Sequence, residues 1–447
     1  MPSARLDKSQ ASVWHGLRRD TAWQLAERGT RIGFGFVLSI LIARTLGPST
    51  FGVYSYALAI IALFAFLGQA GVDALLLREL VREPSRSART LSESLTIRII
   101  GSTLAGIASI ATVLFAATRA LHDAPMLVAI LTLSGLFQAG WVVESWLQAN
   151  HCFKQVALAK MAAYTVSAIL RLVALTLPQP LFALAAATVI ESALCTLLMW
   201  KVSARDLSLG ISHLRLPQSA SLVGFARMVS PMLLSGLTVA IYSRIDVFML
   251  GRMLGSDAAG LYSAGSLLSE GFYLIPAAVM AAAAPRLTAL FNHDQLRFER
   301  GLHALLRALS AGGLLIAIVI TWLAPFLVPV IFGHEFQAAT GILQIHIWST
   351  WIVFVSTASD PWYINHDLRR LYLLKTSSAA ALNVLLNFLL IPHWHGEGAA
   401  LATVLAYGVS AFAVGAFWRQ TRPLFRMQMR AIIGLGAGKR NPKESTI

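Results

Sequence analysis

The sequence predicts an all-α polytopic membrane protein, with about twelve transmembrane helices in two parallel six-helix halves around a central cavity. Three observations predict it. Apolar residues make up 56% of the 447 and charged residues only 13%, roughly half the ~25% usual in soluble domains. The apolar residues gather in stretches of about 20, the length that crosses ~30 Å of hydrocarbon. Lys and Arg fall between those stretches, mostly on alternate sides.

Twelve stretches meet the length requirement: residues 22–43, 52–76, 92–117, 124–148, 157–178, 180–202, 222–251, 258–284, 303–324, 338–363, 371–391 and 396–418. After the ninth, Ala324-Pro325-Phe326-Leu327-Val328-Pro329 is either a break or an interfacial extension. Pro231 and Pro276 lie inside the seventh and eighth, as hinges or as ordinary packing irregularities. With the N-terminus inside, the inner segments hold 28 of the 36 Lys and Arg. The outer loops hold three, Arg44, Arg119 and Arg252. Such a bias sets orientation, so both termini are expected in the cytoplasm.

An internal repeat supports the division into halves. Arg44-Thr45-Leu46-Gly47 with Gly52-Val53-Tyr54-Ser55 recurs as Arg252-Met253-Leu254-Gly255 with Gly260-Leu261-Tyr262-Ser263, 208 residues later. A weaker echo pairs Lys160, Pro178 and Thr188 with Lys375, Pro392 and Thr403. Six helices per repeat is an even number, so the halves share one orientation. The expected organisation is an N-terminal segment 1–21, halves 22–204 and 222–418, a linker 205–221, and a basic tail 419–447. The tail alternates Arg with apolar residues from Pro423 to Ile433, a pattern that lies along an anionic membrane surface.

With Lys160, Arg227, Arg307 and Lys375, at the inner ends of their spans, counted among the inner segments, five arginines remain inside the spans: Arg28, Arg31, Arg98, Arg171 and Arg244. A bare Arg near the bilayer centre costs at least ~2.5–3.5 kcal/mol, so each faces a cavity or a partner. Four of the five are in the N-terminal half, which suits an electropositive vestibule for an anionic group. Arginine suits phosphate in particular, because its planar fork holds two oxygens. Glu27, Glu144, Glu191, Asp246 and Glu270 are the acidic counterparts. They serve ion coupling, with Glu191 and Glu270 near the midplane, or they pair internally, for instance Arg171 with Glu191 and Arg244 with Asp246.

Several functions are argued against. The +15 net charge sits in short loops without a nucleic-acid motif, so no nucleic-acid partner is expected. Cys152 and Cys195 lack metal or disulfide spacing, and His393-x-His395 is a poor metal site in a wetted loop; no metal and no cofactor are expected. His346 is read as a packing residue rather than a proton relay. No nucleotide-binding loop or catalytic constellation occurs, so the reading is a transporter driven by gradients, with H⁺ or Na⁺ as the candidate coupling ion, and not an enzyme.

A family resemblance enters on three ordered motifs. Leu46-Gly47-Pro48 with Phe51-Gly52-Val53-Tyr54 resembles the opening of bacterial polysaccharide exporters. Asp246 with Leu250-Gly251, Leu254-Gly255 and Gly260-Leu261-Tyr262 resembles their seventh-to-eighth helix signature. Asn383, Asn387 and Leu390-Ile391-Pro392, then Gly398-Ala399-Ala400 and Ala402-Thr403, resemble their eleventh-to-twelfth helix signature. One departure is His395, where the family usually has Gly. The chain is similar to the Wzx-type oligosaccharide flippases of the multidrug/oligosaccharidyl-lipid/polysaccharide exporter superfamily. That resemblance implies a bacterial inner-membrane protein that flips undecaprenyl-pyrophosphate-linked oligosaccharide to the outer leaflet by alternating access. It also implies polymerase and chain-length proteins of the same pathway as partners, beside membrane lipids. A drug antiporter of the same superfamily and a lipid II flippase are the competing readings.

Overall fold

The computed structural model describes residues 3–69, 72–116, 121–206 and 219–434, with side chains from Asp20 onward except at 74, 206, 219–221, 223, 231 and 232. Arg119, most of the expected 205–221 linker and the tail beyond 434 lie outside the described residues. Every element among the described residues is helical. Among the described residues ten helices are long and apolar enough to cross a membrane, and the protein is a multi-pass membrane protein. Two of the ten, Asp20–Phe64 and Arg369–Phe417, each carry parts of two of the twelve expected stretches.

Both long helices are broken by one residue rather than by a loop. Helix α1 (Ser3–Phe64) turns at Gly47, with φ 72° and ψ 171°, and restarts at Pro48. Only glycine adopts such a backbone without strain, and a proline suits the first turn of the helix that follows. The expected outer loop after the first span is thereby reduced to a kink. Helix α14 (Arg369–Gly408) is interrupted at His395, with φ 50° and ψ −130°. A positive φ of this kind is uncommon outside glycine, so His395 holds a strained backbone.

The chain divides into two compact units, one of residues 1–46 and 53–240, the other of 47–52 and 241–447. The division falls inside α9 (Ser219–Leu254), between Ala240 and Ile241. The reason is local packing: Phe225 and Val229 of α9 are buried against Val72 and Leu75.

In the first unit α1 is followed by α2 (Phe66–Gln69), α3 (Val72–Arg82), α4 (Ser87–Ala116), α5 (Ala124–Ala139), α6 (Val142–Ala149), α7 (Phe153–Ala174) and α8 (Pro180–Asp206). Its core joins Leu76 and Leu80, Leu91, Val142 and Val143, Val156, Cys195 and Met199. Small residues set the closest approach: a Cβ on Gly101 would collide with the main chain of α2 at Leu67 and Gly68.

In the second unit α10 (Ser256–Glu270) and a 3₁₀ turn at Gly271–Tyr273 lead into α11 (Leu274–His293). The eighth expected span therefore passes through this turn, just before Pro276. Helix α12 (Gln295–Phe332) runs unbroken through Pro325 and Pro329, so the ninth span is extended rather than broken there. Helix α13 (Ala339–Asn365), α14, a π-helical turn at Val409–Ala413, α15 (Val414–Phe417) and α16 (Arg422–Ile432) complete it. Phe298, Leu302 and Leu306 of α12 pack with Phe354, Trp362 and Tyr363 of α13.

The sequence repeat has a structural meaning in this unit. Gly255, with φ 96° and ψ −175°, repeats the backbone of Gly47. The two restarted helices cross at Gly52 and Gly260: a Cβ on Gly52 would strike the Ser256 carbonyl, and one on Gly260 the Pro48 carbonyl. Ser49 and Ser256 hydroxyls meet at 3.0 Å beside the crossing. Each copy supplies the glycine that the other copy's backbone needs.

Candidate functional site

Charged side chains in the first unit are arranged as pairs along apolar helices. Arg98 of α4 is 2% exposed and donates to Asp73 of α3 at 2.6 Å. Arg171 of α7 donates to Glu191 of α8 at 2.8 Å and to the Thr188 hydroxyl at 3.3 Å. Ser167 also donates to Glu191, at 2.6 Å. Arg31 lies 3.6 Å from Glu27, one turn away on α1. Lys160 donates to Glu144 at 2.6 Å, and Gln148 donates to the same carboxylate at 3.0 Å. Tyr164 lies within Coulombic reach of Arg31, Glu27 and Glu191, and Asp73 within reach of Arg98, Glu144 and Lys160. Arg28 is exposed and has no acidic partner among the described residues.

Three of the four span arginines of the first unit, Arg31, Arg98 and Arg171, are therefore paired rather than bare. Carboxylates on neighbouring helices neutralise Arg98 and Arg171, and Glu27 one turn away on the same helix pairs with Arg31, which removes most of the cost of holding them in hydrocarbon. Neutralisation is incomplete in one respect. The buried Nε of Arg98 and that of Arg171 have no hydrogen-bond acceptor. Each guanidinium therefore keeps one buried N–H donor beyond those its carboxylate partner uses, since Arg98 reaches Asp73 through Nη1 and Arg171 reaches Glu191 and Thr188 through Nη2.

The second unit buries a carboxylate that has no cation partner among the described residues. Asp246 of α9 is 5% exposed. It accepts from the Tyr262 hydroxyl at 2.7 Å, from the Thr403 hydroxyl at 2.8 Å, and from the Asn387 amide. Asn387 also donates to Asn383 Oδ1 at 3.2 Å, and Asn383 donates to Thr403 Oγ1 at 3.3 Å. All of these groups are buried, and the Oδ1 of Asn387 receives no donor. Arg244 does not pair with Asp246; its nearest carboxylate is Glu270, at 3.7 Å. Two positions along α9 turn the two side chains about 200° apart, which is why neighbours in sequence have different partners.

A polar chain on α10 and α13 lies beside this cluster. His346 Nδ1 is hydrogen-bonded to Ser269, and Tyr273 to Ser349 at 2.7 Å. The ring of His346 meets that of Tyr262 edge-on at 5.7 Å. The weaker sequence echo also acquires content. Lys375 of α14 is buried, donates to Ser356 at 2.8 Å and lies 3.7 Å from Asp360. Lys375 repeats Lys160, and Asp360 repeats Glu144, at offsets of 215 and 216 residues. Both lysines sit over aromatic rings, Trp141 at 5.6 Å in one case and Tyr363 at 5.2 Å in the other.

Sequence reasoning misses Asp73 and gives Lys160 and Lys375 no partner. It quoted Asn383, Asn387 and Thr403 without giving them work. A signal was present: two asparagines at i, i+4 in an apolar helix share a face that must find polar company.

Long apolar helices, charges held in buried pairs and a desolvated carboxylate define a polytopic membrane protein. Solved structures place its fold. The chain superposes on the lipid II flippase MurJ in its inward closed conformation with a TM-score of 0.70, at 16% identity over 92% of this chain and 91% of that one. An inward-facing multidrug resistance MATE family transporter of the MOP superfamily gives 0.69, at 16% identity over 90% and 96%. A MOP superfamily transporter from Pyrococcus furiosus, described by the reverse polarity of its binding pocket, gives 0.60 at 16% identity over 93% and 96%. The fold is that of the MOP transporters. Residues 17–291 match the family described as polysaccharide biosynthesis protein, and the chain belongs to that family. No curated protein matches the sequence significantly.

Proposed function

We propose that this protein is a flippase that moves undecaprenyl-pyrophosphate-linked oligosaccharide from the cytoplasmic to the outer leaflet by alternating access. The observation that carries the reading is the Nε donor without an acceptor on each of the paired Arg98 and Arg171, in a chain of the polysaccharide biosynthesis family. A diphosphate takes up these donors, and the carboxylate partners keep each arginine neutralised when the carrier is empty. Arg31 and Arg28 add charge at the entry side of α1, and the lipid tail stays in the bilayer. The sugar head group crosses within the protein, because it cannot cross hydrocarbon.

Substrate movement itself needs no coupling ion. Two negative charges crossing the full field of a membrane negative inside gain roughly 4–5 kcal/mol per 100 mV. Return of the empty carrier is where H⁺ or Na⁺ binds, and Asp246 is the group that binds it. Its support is a buried carboxylate with neutral partners only and a neighbouring Asn387 oxygen without a donor, a set of oxygens that suits a small hard cation. Glu270 and Glu191, each beside an arginine, are better placed to neutralise than to couple.

Deletion of the gene tests the reading. Lipid-linked repeat units should accumulate on the cytoplasmic leaflet, and surface polymer should disappear. Accumulated lipid II would assign the protein to peptidoglycan precursors instead, and intact polymer with increased drug sensitivity would make it an antiporter.

A further inference from the structure

The second unit ends in an element that neither site uses. The last apolar span passes through the π-helical turn Val409–Ala413 and ends with α15; at Trp418 the backbone is extended. Helix α16 begins four residues later. A π-turn widens a helix and frees carbonyls from their usual donors. Here a donor comes from α16: the buried Gln428 amide donates to Ala411 O at 3.3 Å and to the Ser359 hydroxyl at 2.8 Å. Ser410, inside the π-turn, donates to the carbonyl of Lys375 at 3.0 Å. The linker before α16 is held as well, with Trp362 Nε1 donating to Gln420 O at 3.3 Å.

The other side of α16 is a row of cations. Arg422, Arg426 and Arg430 follow at four-residue intervals and therefore share one exposed stripe. Leu424, Gln428 and Ala431 face the opposite way and are buried. Arg307 of α12 extends the basic surface, since His303 is within Coulombic reach of both Arg307 and Arg430. No acidic residue occurs between Arg419 and Gly434. Large apolar side chains flank the row, Phe417 at 78% exposure and Ile433 at 70%. A rigid arginine stripe at the point where a chain leaves the bilayer, with apolar anchors at both ends, fits a surface of phosphate headgroups above hydrocarbon.

We propose that α16 is a clamp for anionic phospholipid headgroups, and that Gln428 passes headgroup binding on to the π-turn and the Lys375–Asp360 pair. The test uses the purified full chain in bilayer nanodiscs, with phosphatidylglycerol as the probe and phosphatidylcholine as the reference. Each arginine near an anionic surface contributes about 1 kcal/mol, so the Arg422→Gln, Arg426→Gln, Arg430→Gln triple variant should bind phosphatidylglycerol on the order of 100-fold more weakly. The corresponding triple Arg→Lys variant keeps the charge and should retain most of the binding. In the wild type, phosphatidylglycerol should slow hydrogen exchange of residues 409–413. Gln428→Leu should still bind the lipid but lose that protection. Undiminished lipid binding by the triple Arg→Gln variant overturns the clamp, and full protection of 409–413 in Gln428→Leu overturns the transmission. Equal protection by soluble inorganic phosphate overturns the assignment to a lipid surface.

Discussion

The glycine crossing offers the sharpest test of the repeat. A Cβ placed on Gly52 comes within 3.0 Å of three main-chain atoms at Ser256 and Gly260, and one on Gly260 does the same at Pro48 and Gly52. Main-chain atoms at helix starts cannot rotate away as a side chain can. The two helices must separate by roughly 1 Å, and overpacking of this kind costs about 2–3 kcal/mol. For a unit of about 200 residues, ~2–4 °C of midpoint is lost per kcal/mol. Gly52→Ala and Gly260→Ala should therefore each lower the unfolding midpoint of the detergent-solubilised protein by roughly 5–10 °C. The two costs arise from one separation, so they should not add. The double variant should fall short of the sum by about 1–3 kcal/mol, as for residues in direct contact. Thermal unfolding of the wild type, both single variants and the double variant gives all four corners of the cycle. Strict additivity, or a single variant as stable as the wild type, would refute the idea that the repeat is a mutual backbone contact.

Four further outcomes are expected. His395→Gly should raise the unfolding midpoint, because relief of a φ of 50° worth roughly 1–3 kcal/mol exceeds the ~0.5–1 kcal/mol of extra unfolded-chain entropy; a lower midpoint would contradict it. Asp246→Asn should leave protein abundance and substrate binding near normal while turnover in vesicles stops responding to an imposed Na⁺ or pH gradient, whereas Glu270→Gln should keep that response. Arg98→Lys and Arg171→Lys should preserve the ion pairs and normal abundance yet reduce surface polymer several-fold, because the bidentate fork is lost; normal export in both would make these arginines structural. Alkaline phosphatase fused after Thr50, Asp257 or Gly396 should be active, and after Arg86, Ser219 or Arg426 inactive, a pattern that one wrongly placed helix would scramble.

Composition and periodicity were sufficient for the class of fold because the bilayer imposes a requirement on every span separately. A stretch such as 338–363 must be apolar over its whole length whatever it packs against, so it can be recognised before any contact is known. The repeat was legible for a similar reason: Gly47 and Gly255 need a backbone that few residues adopt, and Gly52 and Gly260 have no room for a side chain. Residue identity alone records such demands.

Partnership was not legible, because it depends on which helix faces which. In sequence, Arg98, Arg171 and Arg244 look alike, three cations in apolar surroundings. Only tertiary packing gives Arg98 to Asp73, Arg171 to Glu191 and Arg244 to Glu270. The same holds for Asp246, whose neighbour Arg244 invites a pairing that helical geometry turns away. Its true company, Tyr262, Asn387 and Thr403, comes from 16 to 157 residues distant in the chain. What a span must be made of is a local matter of transfer from water to hydrocarbon, written residue by residue. What neutralises a buried charge is decided only when helices meet, since Coulombic attraction and hydrogen bonding act across a few ångströms of space and take no account of separation along the sequence.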